Sequence, residues 1–259
     1  MPKIAELLPY LSNARVFASF DLLRGFWQFP VEETSSFHWA FITHNGQFKF
    51  NRVVMGGKNS AAHFQKIMQL VLKNMLYSKV LVYIDDVLVF GQNIMDLVSN
   101  IKEVFQRLRK FRIFLKPAKC ELFASRVLWC GHLIDAEGIS INPAFLSAVQ
   151  EIPVPENAAT LRQFLASANW VRNRIPQFST LVHPLQDLLV QTLAHCKRKT
   201  SRVAAKALLK DLWTEEHATA FQNIKEGVAN AVKLAHIRDG TMQRYVCLLM
   251  RPISFTVRY

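Results

Sequence analysis

The run VLVYIDDVLVF at residues 80–90 constrains this chain more than any other stretch. Its β-branched and aromatic residues favour strands, and two adjacent acids interrupt an otherwise apolar segment. Because Asp favours turns, the pattern predicts two strands joined at Asp85-Asp86. Carboxylates set beside core-type sequence lose hydration and repel each other unless they are protonated or share a cation. Oxygen-only donors suit Mg²⁺, which typically takes one or two carboxylates plus water and substrate phosphates. A third acid on a neighbouring strand would complete such a site, and Asp21, closing the short strand pattern VFASFD (16–21), is the candidate. The bland alternative is a solvent-exposed turn in which Asp-Asp merely favours the geometry, and this run alone does not separate the two.

Further elements follow from periodicity. Residues 38–50 (HWAFITHNGQFKF) read as a hairpin turning at Asn45-Gly46. From Asn59, apolar residues at Ala62, Phe64, Ile67, Met68, Val71, Leu72 and Met75 fall at helical spacing, with Ala62, Phe64 and Ile67 expected in the core. A helix is expected from Ile94 to Arg112, then small strands over 120–141 with turns at Ala124-Ser125 and Glu137-Gly138. Helices are expected at 143–151, 158–174, 178–192 and 214–229, with a domain boundary near 152–157, where Pro153 and Pro155 break the pattern.

Several chemistries are excluded. No GxGxxG occurs, and GGKN (56–59) lacks both the earlier glycine and the Ser/Thr of a phosphate-binding loop. Cys120, Cys130, Cys196 and Cys247 form no CxxC pair, so they are expected to be reduced and mostly buried. No apolar run approaches the roughly 18 residues that span a bilayer, and the start MPKIAELLPYL is not a signal peptide, so the expectation is an intracellular chain, cytoplasmic or nuclear, with no membrane partner.

The net charge of +13 is unevenly spread. Residues 101–126 carry eight basic and two acidic side chains, and residues 156–210 carry nine and two; the rest of the chain is near neutral. Two separated basic stretches are what a polyanion-binding cleft needs, although solvated helix faces give the same pattern. Lys197-Arg198-Lys199 as a nuclear-import signal is a weaker reading, since short basic runs commonly lie in solvated loops.

At YIDD (83–86) the sequence resembles the palm of a reverse transcriptase, and six further segments on both sides of it match in order. The chain is similar to the RNA-directed DNA polymerases of Gypsy-type long-terminal-repeat retroelements. FASFDLLRGFWQFPV (17–31), RVVMGGKNSAAHFQ (52–65) and YIDDVLVF (83–90) resemble the first three catalytic motifs. LKPAKCELF (115–123) and VLWCGHLIDAEGIS (127–140) resemble the next two. LRQFLASANWVRNRIPQFSTLVHPLQDLL (161–189) resembles the thumb, and WTEEHATAFQNIKEGV (213–228) the start of the connection region.

The resemblance implies an α+β fold: a palm at 1–152, with an antiparallel sheet packed on helices, a helical thumb at 153–192, a basic connector at 193–212, the start of a connection region at 213–240 and an unassigned tail at 241–259. It implies RNA-directed DNA polymerase activity, with two Mg²⁺ ions, or Mn²⁺, held by Asp21, Asp85, Asp86 and the Leu22 carbonyl. Arg24, Gly25, Phe26 and Gly56 would face the nucleotide, Phe26 as a steric gate against a ribose 2′-hydroxyl. Lys58 to Gln65 would form a helix start facing nucleotide and template. Trp129, Cys130 and Gly131 would grip the primer end. Lys119 would lie near the leaving group, although Lys116 stands close enough to compete for that role.

Val54 and Gly57 depart from the commoner second motif, where the family has proline and leucine. The implied partners are an RNA or DNA template with primer, a deoxynucleoside triphosphate, and parent polyprotein domains: protease, ribonuclease H and integrase. The family's basic fingers would precede residue 2, and a ribonuclease H acid would follow YVCLLM (245–250). The expectation is that this chain carries neither, as an internal part of a polyprotein or a decayed genomic copy. A catalytically inactive remnant that at most binds nucleic acid is the alternative.

Overall fold

The structure, a computed structural model, describes residues 1–194, 206–209, 212–231 and 233–236. Most of the basic connector, with Lys197-Arg198-Lys199 and Cys196, lies outside the described residues, as do Cys247 and the 241–259 tail. Two compact units are present among the described residues, one of Met1–Ile139 with Ala235 and His236, the other within Ser140–Leu234.

The first unit is built on a four-stranded antiparallel sheet. Its strands are β1 (Val16–Asp21), β4 (Val80–Tyr83), β5 (Asp86–Gly91) and β6 (Glu121–Ala124), in the order β4-β5-β1-β6. Alternation along the strands sends side chains to two different cores. Ala18, Phe20, Val80, Val82, Val87 and Val89 face helices α3 (Ser60–Val71) and α4 (Ile94–Lys110), meeting Phe64, Met68 and Val71 of the first and Leu97, Ile101, Val104 and Leu108 of the second. Phe17, Leu81, Leu88 and Phe90 face the other way, toward Leu7 of α1 (Ile4–Leu7), Leu11 and the strands β7 (Arg126–Trp129), β8 (His132–Asp135) and β9 (Gly138–Ile141). Burial on both faces explains why residues 80–90 are apolar at nearly every position. Each fully buried Val, Leu or Phe contributes about 1.5–3 kcal/mol.

The structure shifts the expected hairpin turn by one residue. Tyr83 pairs with Asp86, so Ile84 and Asp85 form the loop and Asp86 opens β5. Ile84 takes φ 55°, a left-handed conformation that a β-branched residue rarely adopts. Helix α3 buries Phe64, Gln65, Met68 and Val71, half-buries Ile67 and leaves Ala62 exposed, against its expected core placement. The helical stripe is centred one position away from the one that includes Ala62. Besides the short helix α2 (Glu33–Ser36), a separate two-stranded ribbon, β2 (Phe41–Thr43) with β3 (Gly46–Phe48), forms the expected hairpin.

Helix α4 runs from an Asn93 cap, whose side chain accepts from Asp96 N–H at 2.9 Å, to a last turn carrying Arg107, Arg109 and Lys110, a charge order that suits the helix dipole. The second unit packs α5 (Pro143–Gln150), α6 (Ala158–Trp170), α7 (Phe178–Leu193) and α8 (Glu215–Ala229) around Phe164, Leu185, Leu188, Phe221 and Ile224. Asn157 and Thr160 form a capping box at the start of α6, so the helix begins where the proline-rich segment ends. The fold class is α+β. Among the described residues, no helix is long and apolar enough to cross a membrane.

Candidate active site

The three acids meet because of strand register. In the β1–β5 ladder Asp21 stands directly opposite Asp86, and alternation places both on the face toward β7. Asp85 sits at the hairpin tip, where its carbonyl accepts from Leu22 N–H at 3.3 Å. Lys116 N–H donates to the Asp21 carbonyl at 2.9 Å, and Leu23 N–H to the Phe114 carbonyl at 2.9 Å.

Two side chains outside the sequence motifs' expected roles brace this corner. Gln65, only 3% exposed, donates from Nε2 to the Val82 carbonyl at 3.0 Å and accepts Ile84 N–H on Oε1 at 2.7 Å. It therefore holds the left-handed tip from inside the core, whereas the resemblance had it facing nucleotide and template. Gln28 donates to the Leu23 and Phe114 carbonyls at 2.6 and 2.9 Å and accepts Phe114 N–H at 2.7 Å, clamping the segment after β1. Neither glutamine has a local signature in sequence, because each contact partner is a backbone group.

Electrostatics reflect the crowding. Burial, then the charges of Asp85 and Asp21, push the Asp86 carboxyl above its ordinary 3.8, while Lys119 acts the other way. Lys119 Nζ donates to Asp21 Oδ2 at 3.0 Å, and that bond holds its ammonium firmly charged. Among the described residues, no three His, Cys, Asp or Glu side chains stand together as a ready-made metal cage. By donor chemistry, Asp21, Asp85, Asp86 and the Leu22 carbonyl are all oxygen donors, the kind a hard dication takes.

Two clefts flank the acids. One of about 500 Å³ is lined by Asp21, Leu22, Arg24, Gly25, Phe26, Met55, Asp85, Lys116 and Lys119, among others. Gly25 is closely approached here: a Cβ would lie 3.1 Å from Phe64 Cζ and 3.2 Å from Asp85 Cβ, so a larger residue would need these side chains to give by a few tenths of an ångström. The Phe26 ring packs on Phe64 at 5.0 Å and forms part of the wall. Gly56 does not line this cleft; its neighbour Met55, 65% exposed, does.

The second cleft, about 260 Å³, is lined by Ser19, Asp21, Asp86, Lys119, Leu128 and Trp129, among others. The strand pair at 126–135 turns at Cys130-Gly131, with φ 47° and 78°, a turn missing from the sequence expectation and made affordable by glycine at the second position. Trp129 is buried, and its Nε1 has no hydrogen-bond partner among the described residues. Burial and then the charges of Asp86 and Asp85 push the Cys130 thiol up to about 12, so it stays protonated. Cys120 and Cys130 are both half-buried rather than fully enclosed.

Known proteins share the family and the fold of this chain. Residues 4–134 match the family described as reverse transcriptase (RNA-dependent DNA polymerase). The chain is 28% identical over 225 residues to the retrovirus-related Pol polyprotein from transposon 297 of Drosophila melanogaster, covering 87% of this chain and 20% of that protein. It is 28% identical over 236 residues to the transposon Tf2-3 polyprotein of Schizosaccharomyces pombe, covering 91% and 16%. It thus spans about a fifth of the length of the curated relatives it matches. Among solved structures, a foamy viral protease-reverse transcriptase in complex with double-stranded DNA shares the fold at TM-score 0.78 and 24% identity, over 93% of this chain and 40% of the other. The foamy viral enzyme in complex with an RNA/DNA hybrid gives 0.74 and 25%, over 88% and 29%.

Proposed function

Because the chain belongs to the reverse transcriptase (RNA-dependent DNA polymerase) family, we propose that it is the palm and thumb of a retrotransposon polymerase that adds deoxynucleotides to a primer 3′-hydroxyl. The observation that carries this reading is the register that sets Asp21 opposite Asp86, with Asp85 at the adjoining tip. The family's divalent ions, Mg²⁺ by donor chemistry, would be held by Asp21, Asp85, Asp86 and the Leu22 carbonyl. When bound, such ions supply activation of the hydroxyl and neutralisation of the departing pyrophosphate.

The chain's own residues do the positioning. Phe26, backed by Phe64, closes the cleft under the sugar, and the Arg24-Gly25 backbone and Arg24 side chain face the triphosphate. The Trp129-Cys130-Gly131 turn supports the primer terminus beside Asp86, with a neutral thiol that adds no further negative charge. Lys119 and Lys116 line the cleft where pyrophosphate leaves. Template, primer and the nucleotide are the proposed partners, in keeping with relatives seen with double-stranded DNA and an RNA/DNA hybrid.

Primer extension on poly(rA)/oligo(dT) with Mg²⁺ tests this reading against Asp85→Asn. We expect incorporation to drop by about a hundredfold or more in the variant, the scale on which losing one preorganised electrostatic group acts. Equal incorporation by the two proteins would sink the catalytic claim. Retained nucleic-acid affinity without incorporation by either would favour a silent binding module.

A further inference from the structure

We propose that Lys119 is the resident counter-ion of the carboxylate site: its ammonium holds the coordination position on Asp21 that a divalent cation needs, so cation entry and lysine release are one exchange. This rests on the polymerase reading for the identity of the site, and goes beyond it in giving the lysine a role before any substrate arrives.

The geometry is direct. Lys119 Nζ lies 3.0 Å from Asp21 Oδ2, the separation of a charge-assisted hydrogen bond. An ammonium that close and a dication compete for the Asp21 carboxylate, because two positive charges a few ångströms apart repel strongly. The two partners differ in freedom. Asp21 ends a paired strand, its side chain is 21% exposed, and its carbonyl is fixed by Lys116 N–H. The Lys119 side chain is 57% exposed, on the short turn Pro117–Lys119. The lysine is therefore the member that moves.

Lys119 also lines both clefts, the one with Asp86 and Trp129 and the one with Asp85 and Phe26, so a released ammonium stays within the site. Asp21, Asp85 and Asp86 all act on it electrostatically. Lys116 is the internal comparison: it lines only the second of these clefts and makes no ion pair among the described residues. Without a cation on Asp21, the three acids would face each other with less relief. The lysine thus relieves part of a repulsion that the strand register imposes, and it competes with an ion for Asp21.

Mn²⁺ binding to the full chain, read by the loss of free-ion electron paramagnetic resonance signal at fixed ionic strength, tests the exchange without any turnover. Lys119→Gln should bind Mn²⁺ about fivefold tighter than the unmodified chain, the scale of a partly exposed ion pair, while Lys116→Gln should stay within about twofold. Unchanged or weaker binding by Lys119→Gln would overturn the proposal. An equal gain from Lys116→Gln would also overturn it, by tracing the effect to general charge rather than to the contact. Asp85→Asn separates this failure from that of the polymerase reading. If the unmodified chain binds no Mn²⁺, or binds it no better than Asp85→Asn, the metal site itself is wrong and the exchange falls with it.

Discussion

Asp86 carries an electrostatic load that the unfolded chain does not. Its carboxyl titrates above 3.8 in the fold, because burial and two neighbouring acids disfavour the charged form. The unfolded chain therefore releases this proton more readily, and stability falls as pH rises from the ordinary carboxylate value through the raised one. Asp86→Asn removes the charge and keeps the shape. We expect it to stabilise the fold at pH 7 by about 1 kcal/mol or less once solvent screening is allowed for, and to give no gain near pH 3, where the native acid is already neutral. Thermal melts at the two pH values check this; a variant no more stable at pH 7 contradicts it. The three acids were legible in the sequence because strands and turns mark their own ends. Met55, Gln28 and Gln65 were not, since what defines them is proximity to backbone groups or a cleft that the local pattern does not reveal.

The hairpin of β4 and β5 shows where element-level reading stops. Asp-Asp correctly marks a turn, but the loop is Ile84-Asp85, and local propensity argues against a left-handed isoleucine. What holds it is Gln65, which takes Ile84 N–H and the Val82 carbonyl together. Gln65→Ala should cost about 1–3 kcal/mol, since it leaves the buried Val82 carbonyl and the half-buried Ile84 N–H unpaired, and should weaken Mn²⁺ binding by loosening the tip. An unchanged melting temperature would mean that the tip holds without this brace. The strand positions themselves were readable, because burial on both faces writes a continuous apolar run. The turn at Cys130-Gly131 was hidden by a cysteine that the pattern assigned to a strand, although the adjoining glycine was its available signal.

Across the whole molecule the charge excess finds a structural setting in the first unit. Lys102, Arg109, Lys110, Arg112 and Lys116 are exposed on α4 and the segment after it, so this stretch is free to meet phosphates. In a gel-shift series on primer-template, log affinity should fall linearly with log salt, by about 0.9 per phosphate contact, and Lys110→Glu with Arg112→Glu should flatten that slope. Affinity indifferent to salt would remove these side chains from the interface. The sequence's family resemblance was legible across most of the chain, whereas the two-sided covering of the central sheet required long-range packing to emerge. That covering has a kinetic consequence. Strand β5 is paired on both edges and sealed on both faces. Its central amides, Val87 to Val89, should be among the last to exchange with deuterium, opening only when the whole unit unfolds. The acid that begins this strand is thereby fastened to the slowest-breathing part of the unit, and adjustments that admit a substrate must come from the softer turns around it.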